Sequence, residues 1–330
     1  MTTEKNLTWN EQTKFLMTEN GDRYCYIDHH DPMRNFNQKS YFSDFETEIH
    51  FYEEEEPHLL NEDQYCAYYK EHVARHYPAP AATIDLIGLR FYHDKLQVLL
   101  VKRRHYPSRD RWAMPGGFLD YEETINHACL REVKEETNID LNDDNVIRLT
   151  NVSAKGRDKR MWVITTPNIV LFSPNDLKHM NVKAGDDAKE AKWFDLKLTA
   201  DANFKPHNLY SYTKKDLQHL HLSIPDAMPL AFDHYDIIQN ALRQLVLDFG
   251  RIQLPQIVKL LGDEVTTKDL INLFSQLVPN FKNVGATNLV RHYHRDLIAT
   301  RKVRKMPKGS AGGNSMRIYK VKNIKNGYRN

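Results

Sequence analysis

Glu132, Glu135 and Glu136 stand at positions i, i+3 and i+4 of one predicted helix, with Arg131 beside them and Glu123 a little upstream. Residues on a helix advance about 100° each, so the three carboxylates share a face. Like charges at i and i+4 destabilise a helix by roughly 0.2–0.5 kcal/mol per pair, and Arg131 and Lys134 offset this only in part. Such a face is either plain solvated surface or a seat for a divalent cation. Hard cations such as Mg²⁺ take carboxylate oxygens, keep several waters and bridge to phosphate oxygens. The chemistry they bring is neutralisation of phosphate charge and activation of a bound water.

The flanks of the acidic face carry a longer pattern. Gly117, five residues, Glu123, seven residues, then Arg131-Glu132-Val133-Lys134-Glu135-Glu136-Thr137-Asn138-Ile139 resembles the Nudix box, GX5EX7REUXEEXGU with U aliphatic. Every specified position matches except the last glycine, which is Asn138 here. Asn is the side chain best able to take the left-handed conformation that ends a helix, so this departure is expected to disturb little.

The resemblance implies a fold, an α/β/α sandwich around a mixed sheet, and a reaction, water attack on a nucleoside diphosphate linked to another group. It implies Glu132 and Glu136 as the main metal ligands, with Glu135 as a further ligand or a water-orienting group. The Gly116 carbonyl resembles another ligand position. Arg131 would hold a glutamate in place and Glu123 would support the cluster. The implied cofactor is Mg²⁺ or Mn²⁺, and phosphoryl chemistry needs little beyond such positioning and charge. A general base in this family often lies on a later loop, and "KAGDDAKEAKWF" offers Asp186, Asp187 and Glu190. Asp187 is taken as the candidate, although a polar turn explains the segment equally well. Arg157 and Arg160, in "GRDKRMW", could grip phosphates bidentately. Phe118 or Trp162 could stack on a base, and Trp162 could equally be core.

These residues need elements to carry them. "ATIDLIGLRFY" and "KLQVLLVKR" are β-rich runs parted by His93–Asp94, a hairpin signal. "VIRLTNVSA", "RMWVITTPNIVLF" and "EAKWFDL" read as further strands, and Pro167 predicts an edge or a bulge. Residues 62–75 read as a helix that ends before Pro78 and Pro80. From about 230 the pattern turns helical. "DHYDIIQNALRQLVLDFG" places Ile237, Ile238, Ala241, Leu242, Leu245 and Val246 on one stripe and stops at Gly250. Thr266 and Asp269 have capping-box spacing at the head of "TTKDLINLFSQLV".

The whole layout resembles one subgroup of the family, a Nudix domain joined to a winged helix-turn-helix, as in Nudix-related transcriptional regulators and their ADP-ribose-hydrolysing relatives. "WAMPGGF", "RDKR", "AGDDAKEAKWF" and "LAFDHYDII" carry that resemblance over roughly residues 62–322. It implies residues 61–228 as the Nudix domain and 229–330 as the winged helix. Residues 1–60 are an acidic, aromatic extension of unassigned role. In "ATNLVRHYHRDLIA", Leu289, Tyr293 and Leu297 would face the core. Arg291, His292, His294 and Arg295 would face outward, Arg291 and Arg295 towards a major groove. Arg301, Lys302, Arg304 and Lys305 would lie on a β-wing and meet phosphates. A small helical domain that serves only dimerisation is the plainer alternative. His29, His30, His219 and His221 read as ordinary surface or core histidines.

Charge and cysteine usage bound the rest. Residues 1–70 hold fifteen Asp or Glu against six Lys or Arg, and residues 291–330 hold twelve Lys or Arg against one acid. A basic end points to an anionic polymer, or is a solvated tail. Cys25, Cys66 and Cys129 are scattered and odd in number. That argues against a disulfide framework and for reduced thiols in a cytoplasm. The polar N-terminus is not a signal peptide, and no apolar run approaches the length of a membrane span. The expectation is a cytoplasmic, Mg²⁺-dependent hydrolase of ADP-ribose or a related nucleotide, as a homodimer. The rival is a nucleotide-sensing regulator that binds double-stranded DNA. The intact acidic set favours the first and the basic wing favours the second.

Overall fold

The computed structural model describes residues 7–10, 15–18, 23–24, 66, 69 and 79–330, except 181–187, 209, 250–253, 306–314 and 323–330. The chain forms two compact units, Met1–Ala79 and Pro80–Asn330. In the first, β1 (Leu7–Asn10), β2 (Phe15–Thr18) and β3 (Arg23–Tyr24) form an antiparallel sheet in that order. Of the helix expected over 62–75, only Cys66 and Tyr69 are described, both helical; the rest lies outside the described residues.

The second unit is built on a mixed sheet of β4 (Ala81–Tyr92), β5 (Lys95–Arg103), β6 (Trp112–Ala113), β7 (Gly116–Phe118), β8 (Val146–Arg148), β9 (Val163–Leu171) and β10 (Ala188–Asp195). Its order is β10-β5-β4-β9-β8, with β6 beside β5 and β7 beside β4, and only β4 and β9 run parallel. The β4–β5 hairpin turns at His93 and Asp94, with φ of 51° and 59°. Two left-handed residues suit the twist of a two-residue hairpin loop.

Alternation along the strands sorts the core into two layers. Ile84 and Leu86 of β4 pack with Ala128, Cys129 and Val133 of helix α1 (Ile125–Thr137). Ile87 and Leu89 point the other way, into a cluster with Ile237, Ile238, Ala241, Leu242, Leu245 and Val246 of helix α3 (His234–Asp248). Between α1 and α3 come β11 (Lys197–Ala200), the short α2 (Lys214–Leu217) and β12 (Leu220–Ser223). Each fully buried aliphatic side chain of the α3 stripe contributes about 1.5–3 kcal/mol. The boundary expected near 228 therefore coincides with no break in packing, and the one expected near 61 lies outside the described residues. The unit begins at Pro80 and runs through 228, because the second face of the sheet is covered by a helix from beyond that point.

Pro167 is not at an edge, since β9 lies between β4 and β8, but it meets the other expectation: beside it the pairing shifts register, from Leu149 N on Pro167 O to the Val152–Thr165 bridge, which is a bulge. The Pro167 carbonyl accepts from Leu149 N at 3.0 Å, so its nitrogen faces that same side, where β8 has just ended at Arg148. The missing donor thus spares the long β4 ladder.

The C-terminal part holds β13 (Glu264–Val265), α4 (Thr267–Leu277), α5 (Ala286–His292), β14 (Leu297–Lys305) and β15 (Ser315–Val321). The three strands form an antiparallel sheet in the order β13-β15-β14. Helix α4 starts at the expected capping box: Thr266 Oγ1 accepts from Asp269 N at 3.2 Å and Asp269 Oδ2 accepts from Thr266 N at 2.8 Å. Leu289, Tyr293 and Leu297 are buried as expected. His292 is not outward: its ring stacks on Tyr210 at 4.0 Å, in an aromatic cluster with Phe281 and Tyr293. Among the described residues no helix is long and apolar enough to cross a membrane.

Candidate metal centre

Strand β7 and helix α1 bring the acidic face together. Gly116 has φ of +148°, and a Cβ there would fall 2.2 Å from the Ile84 carbonyl oxygen. A Cβ on Gly117 would fall 2.1 Å from Glu132 Oε1. The Glu132 carboxylate thus lies directly against β7, and only glycine leaves room for it. Thr124 caps α1 by accepting from His127 N at 3.2 Å. Asn138 ends it at φ 57°, ψ 26°, donating its backbone N–H to Lys134 O at 2.8 Å. The left-handed conformation expected at this departure from the glycine pattern is the one observed.

Arg131 organises the carboxylates. Its Nε and Nη2 donate to the two oxygens of Glu123, each at 2.9 Å, and its Nη1 donates to Glu132 Oε1 at 2.8 Å and Glu135 Oε2 at 3.3 Å. Nη2 also reaches the Phe118 carbonyl at 3.2 Å. This hold, with help from Asp120 N and His127, keeps the Glu123 carboxyl down at about 2. Burial pushes Glu132 upward against the pull of Arg131. Glu136 has no such partner. Burial, then Glu132 and Glu135, raise it to about 7, and its Oε2 is buried with no hydrogen-bond partner.

Among the described residues no three His, Cys, Asp or Glu side chains close into a cation cage, and the Arg131 fork holds Glu132 and Glu135. The donor set nonetheless fits a hard cation. It is all carboxylate, and one buried oxygen lacks any hydrogen-bond donor, an arrangement that a bound cation relieves.

The other residues singled out from the sequence fall in several places. Asp186 and Asp187 lie outside the described residues, and Glu190 is exposed beside a bulge in β10. Phe118 and Trp162 are 46% and 52% exposed. They flank the start of β4, Phe118 opposite Thr83 and Trp162 bonded to Ala81 N at 3.0 Å. Trp162 is therefore not core. Arg160 is half-exposed and pairs with Asp158 within its own loop, Nη2 to Oδ2 at 2.8 Å. Arg157, expected to meet phosphates, is buried instead against Asp85 and Asp233. The sequence reading missed that cluster, although one signal was there: Asp85 is a charged residue inside the apolar run "ATIDLIGL". His219 and His221 both contact Asp201 Oδ2, at 3.1 and 3.2 Å.

In the C-terminal part Arg291, Arg295, Arg301, Lys302, Arg304 and Lys305 are all exposed. Lys302 pairs with Glu264 at 2.6 Å and Arg304 with Asp269 at 2.8 Å. Arg301 and Lys305 have no ion pair among the described residues.

A glycine strand thus lies under a capped helix whose acidic face is held by one arginine fork. Residues 85–214 match the NUDIX domain model, so that stretch of the chain carries a Nudix domain. It is 40% identical over 123 residues to an ADP-ribose pyrophosphatase of Methanocaldococcus jannaschii, covering 37% of this chain and 66% of that one. It is 26% identical over 200 residues to the ADPR responsive transcriptional repressor NtrR of Acinetobacter baylyi, covering 60% of this chain and 66% of that one. The chain thus spans just under two thirds of the length of either relative. Among solved structures, a MutT/nudix family protein from Enterococcus faecalis aligns over 87% of this chain and all of its own, at 24% identity and a TM-score of 0.59. Shewanella oneidensis NrtR aligns over 74% of this chain and 94% of its own, at 23% identity and a TM-score of 0.50. These two show a shared fold.

Proposed function

We propose that the chain hydrolyses the pyrophosphate of ADP-ribose or a related nucleoside diphosphate derivative, using Mg²⁺ or Mn²⁺ on the α1 face. The observation that carries this is the buried, unpartnered oxygen of Glu136 inside a complete acidic set. Glu132, Glu136, Glu135 and the Gly116 carbonyl would hold the metal, which supplies charge neutralisation and an activated water when bound. Arg131 fixes Glu132 through Nη1 while Glu123 locks the other edge of the same fork. Glu123 and Arg131 therefore act by positioning. Phe118 and Trp162 offer exposed faces for a base, and Arg160 is the arginine of its loop that reaches solvent. Asp187 remains the candidate base, beside Asp186 and Glu190. The 40% identity to an ADP-ribose pyrophosphatase supports the substrate class. The test is a panel of nucleoside diphosphate derivatives incubated with Mg²⁺. Release of AMP from ADP-ribose is expected, and no product from any member overturns the reading.

A second reading is favoured by the C-terminal part. Two helices followed by a hairpin with exposed Arg301 and Lys305 suit a winged helix-turn-helix that meets DNA phosphates. The resemblance to a repressor described as ADPR-responsive supports it. In this reading the chain is a cytoplasmic homodimer that senses the nucleotide it also hydrolyses.

A further inference from the structure

We propose that Asp233 and His234, at the head of α3, are positioning residues for the candidate metal centre and the loop 153–162 beside it, so that this site is complete only with a helix from beyond the matched domain. The inference builds on the reading of residues 85–214 as the nucleotide site. The geometry starts from Asp85, which faces the α3 side of the sheet and is only 9% exposed, between Ile84 and Leu86. A buried carboxylate requires a partner. Arg157 supplies it, with Nη2 3.3 Å from Asp85 Oδ2. The same guanidinium meets Asp233 through two bonds, Nε to Oδ2 at 3.1 Å and Nη2 to Oδ1 at 3.0 Å. That bidentate grip fixes the plane of the fork.

His234 completes the strut. Its Nδ1 accepts from Met114 N at 2.8 Å, which leaves Nε2 to face Asp85 Oδ1 at 3.8 Å. Met114 lies two residues before Gly116, and Leu86 N donates to the intervening Pro115 carbonyl at 2.8 Å. One helix turn therefore holds both the strand that presents the Gly116 carbonyl and, through Arg157, the loop 153–162 that carries Arg160 and Trp162. The Arg157 fork is already taken up by Asp85 and Asp233, which leaves it no free edge for a ligand phosphate; its role is geometric. The backbone agrees: Phe232, just before Asp233, has φ of 49°. A bulky side chain adopts that conformation only where its surroundings impose it, and such strain gathers at functional sites.

The test compares the full chain with Asp233→Asn and Asp233→Glu, and with Asp236→Asn as an exposed control on the same helix turn. Amide hydrogen exchange is read without ligand, and kinetics are read with ADP-ribose and Mg²⁺. Asp233→Asn is expected to speed exchange about tenfold or more in residues 153–162 and 113–117, leaving 125–137 unchanged. It should also raise KM about tenfold with kcat nearly unchanged, the size of effect seen when a supporting partner is lost. Asp233→Glu, which keeps the charge, should recover most of both, and Asp236→Asn should do nothing. A general loss of stability would instead spread through 80–330 and leave KM alone. Unchanged exchange in the two segments, or an even rise across the unit, overturns the proposal. If Asp233→Asn does not fold, the milder Asp233→Glu decides by the same two segments. Absence of turnover in the unaltered chain counts against the hydrolase reading only, because the exchange comparison needs no ligand.

Discussion

A methyl group added at Gly117 would sit 2.1 Å from Oε1 of Glu132, so Gly117→Ala must push that carboxylate off β7. Mg²⁺-dependent turnover is expected to fall at least tenfold, while chemical denaturation registers a loss of about 1–3 kcal/mol. Full activity in this variant would show that Glu132 is not a ligand. Glu136→Gln asks the complementary question. It removes a buried carboxyl already raised to about 7 by burial and like charge. Turnover should vanish, yet the metal-free variant should melt no lower than the parent at pH 8, where the parent carboxyl is mostly charged. Unfolding of the variant would make Glu136 structural. Asn138→Gly should be close to neutral, within about 1 kcal/mol, since φ of 57° suits glycine. A loss of several kcal/mol on denaturation would reveal a contact made by the Asn side chain. At this scale the sequence was informative, because the box encodes contacts within one helix and one adjoining strand. Arg157 was misplaced because its partners are 72 and 76 residues away.

Helix α3 is the element on which both halves of the second unit depend. Leu242 is fully buried in the cluster shared with Ile87 and Leu89 of β4. Leu242→Ala should cost about 2–5 kcal/mol and unfold the matched domain and the C-terminal part in one transition. Two well-separated transitions in calorimetry would restore the boundary near 228. The periodicity of α3 was legible from its apolar stripe, as was the Thr266–Asp269 cap. What the stripe would cover was not, because a stripe records that a face is apolar and not which surface it meets. Pro167 teaches the same lesson: its effect depends on where the neighbouring strand stops.

For the molecule as a whole, the open question is the basic C-terminal end. Lys302 and Arg304 are held by Glu264 and Asp269, whereas Arg301 and Lys305 are not paired among the described residues. If this hairpin grips DNA, log K should fall with log salt at a slope near −0.9 per phosphate contacted. Replacing Arg301 and Lys305 with Ala should flatten that slope more than replacing Lys302 and Arg304, and should weaken all duplexes alike. Replacing Arg291 or Arg295 should instead relax sequence preference, by about 1–3 kcal/mol for a lost bidentate base contact. A salt titration on the upstream DNA and on a random duplex measures each. Absence of binding to both at low salt would remove the regulator reading.

The sequence by itself determined the Nudix box, the acidic face, the hairpin, the helix caps and the charge asymmetry. Each of these rests on residues near one another in the chain, where spacing translates directly into geometry. The tertiary structure alone decided that Arg157 turns inward, that His292 stacks on Tyr210, and that a C-terminal helix closes the second face of the Nudix sheet. Those outcomes depend on which distant surfaces bury one another. A buried charge or an apolar stripe announces that it needs a partner, but only the folded chain chooses it.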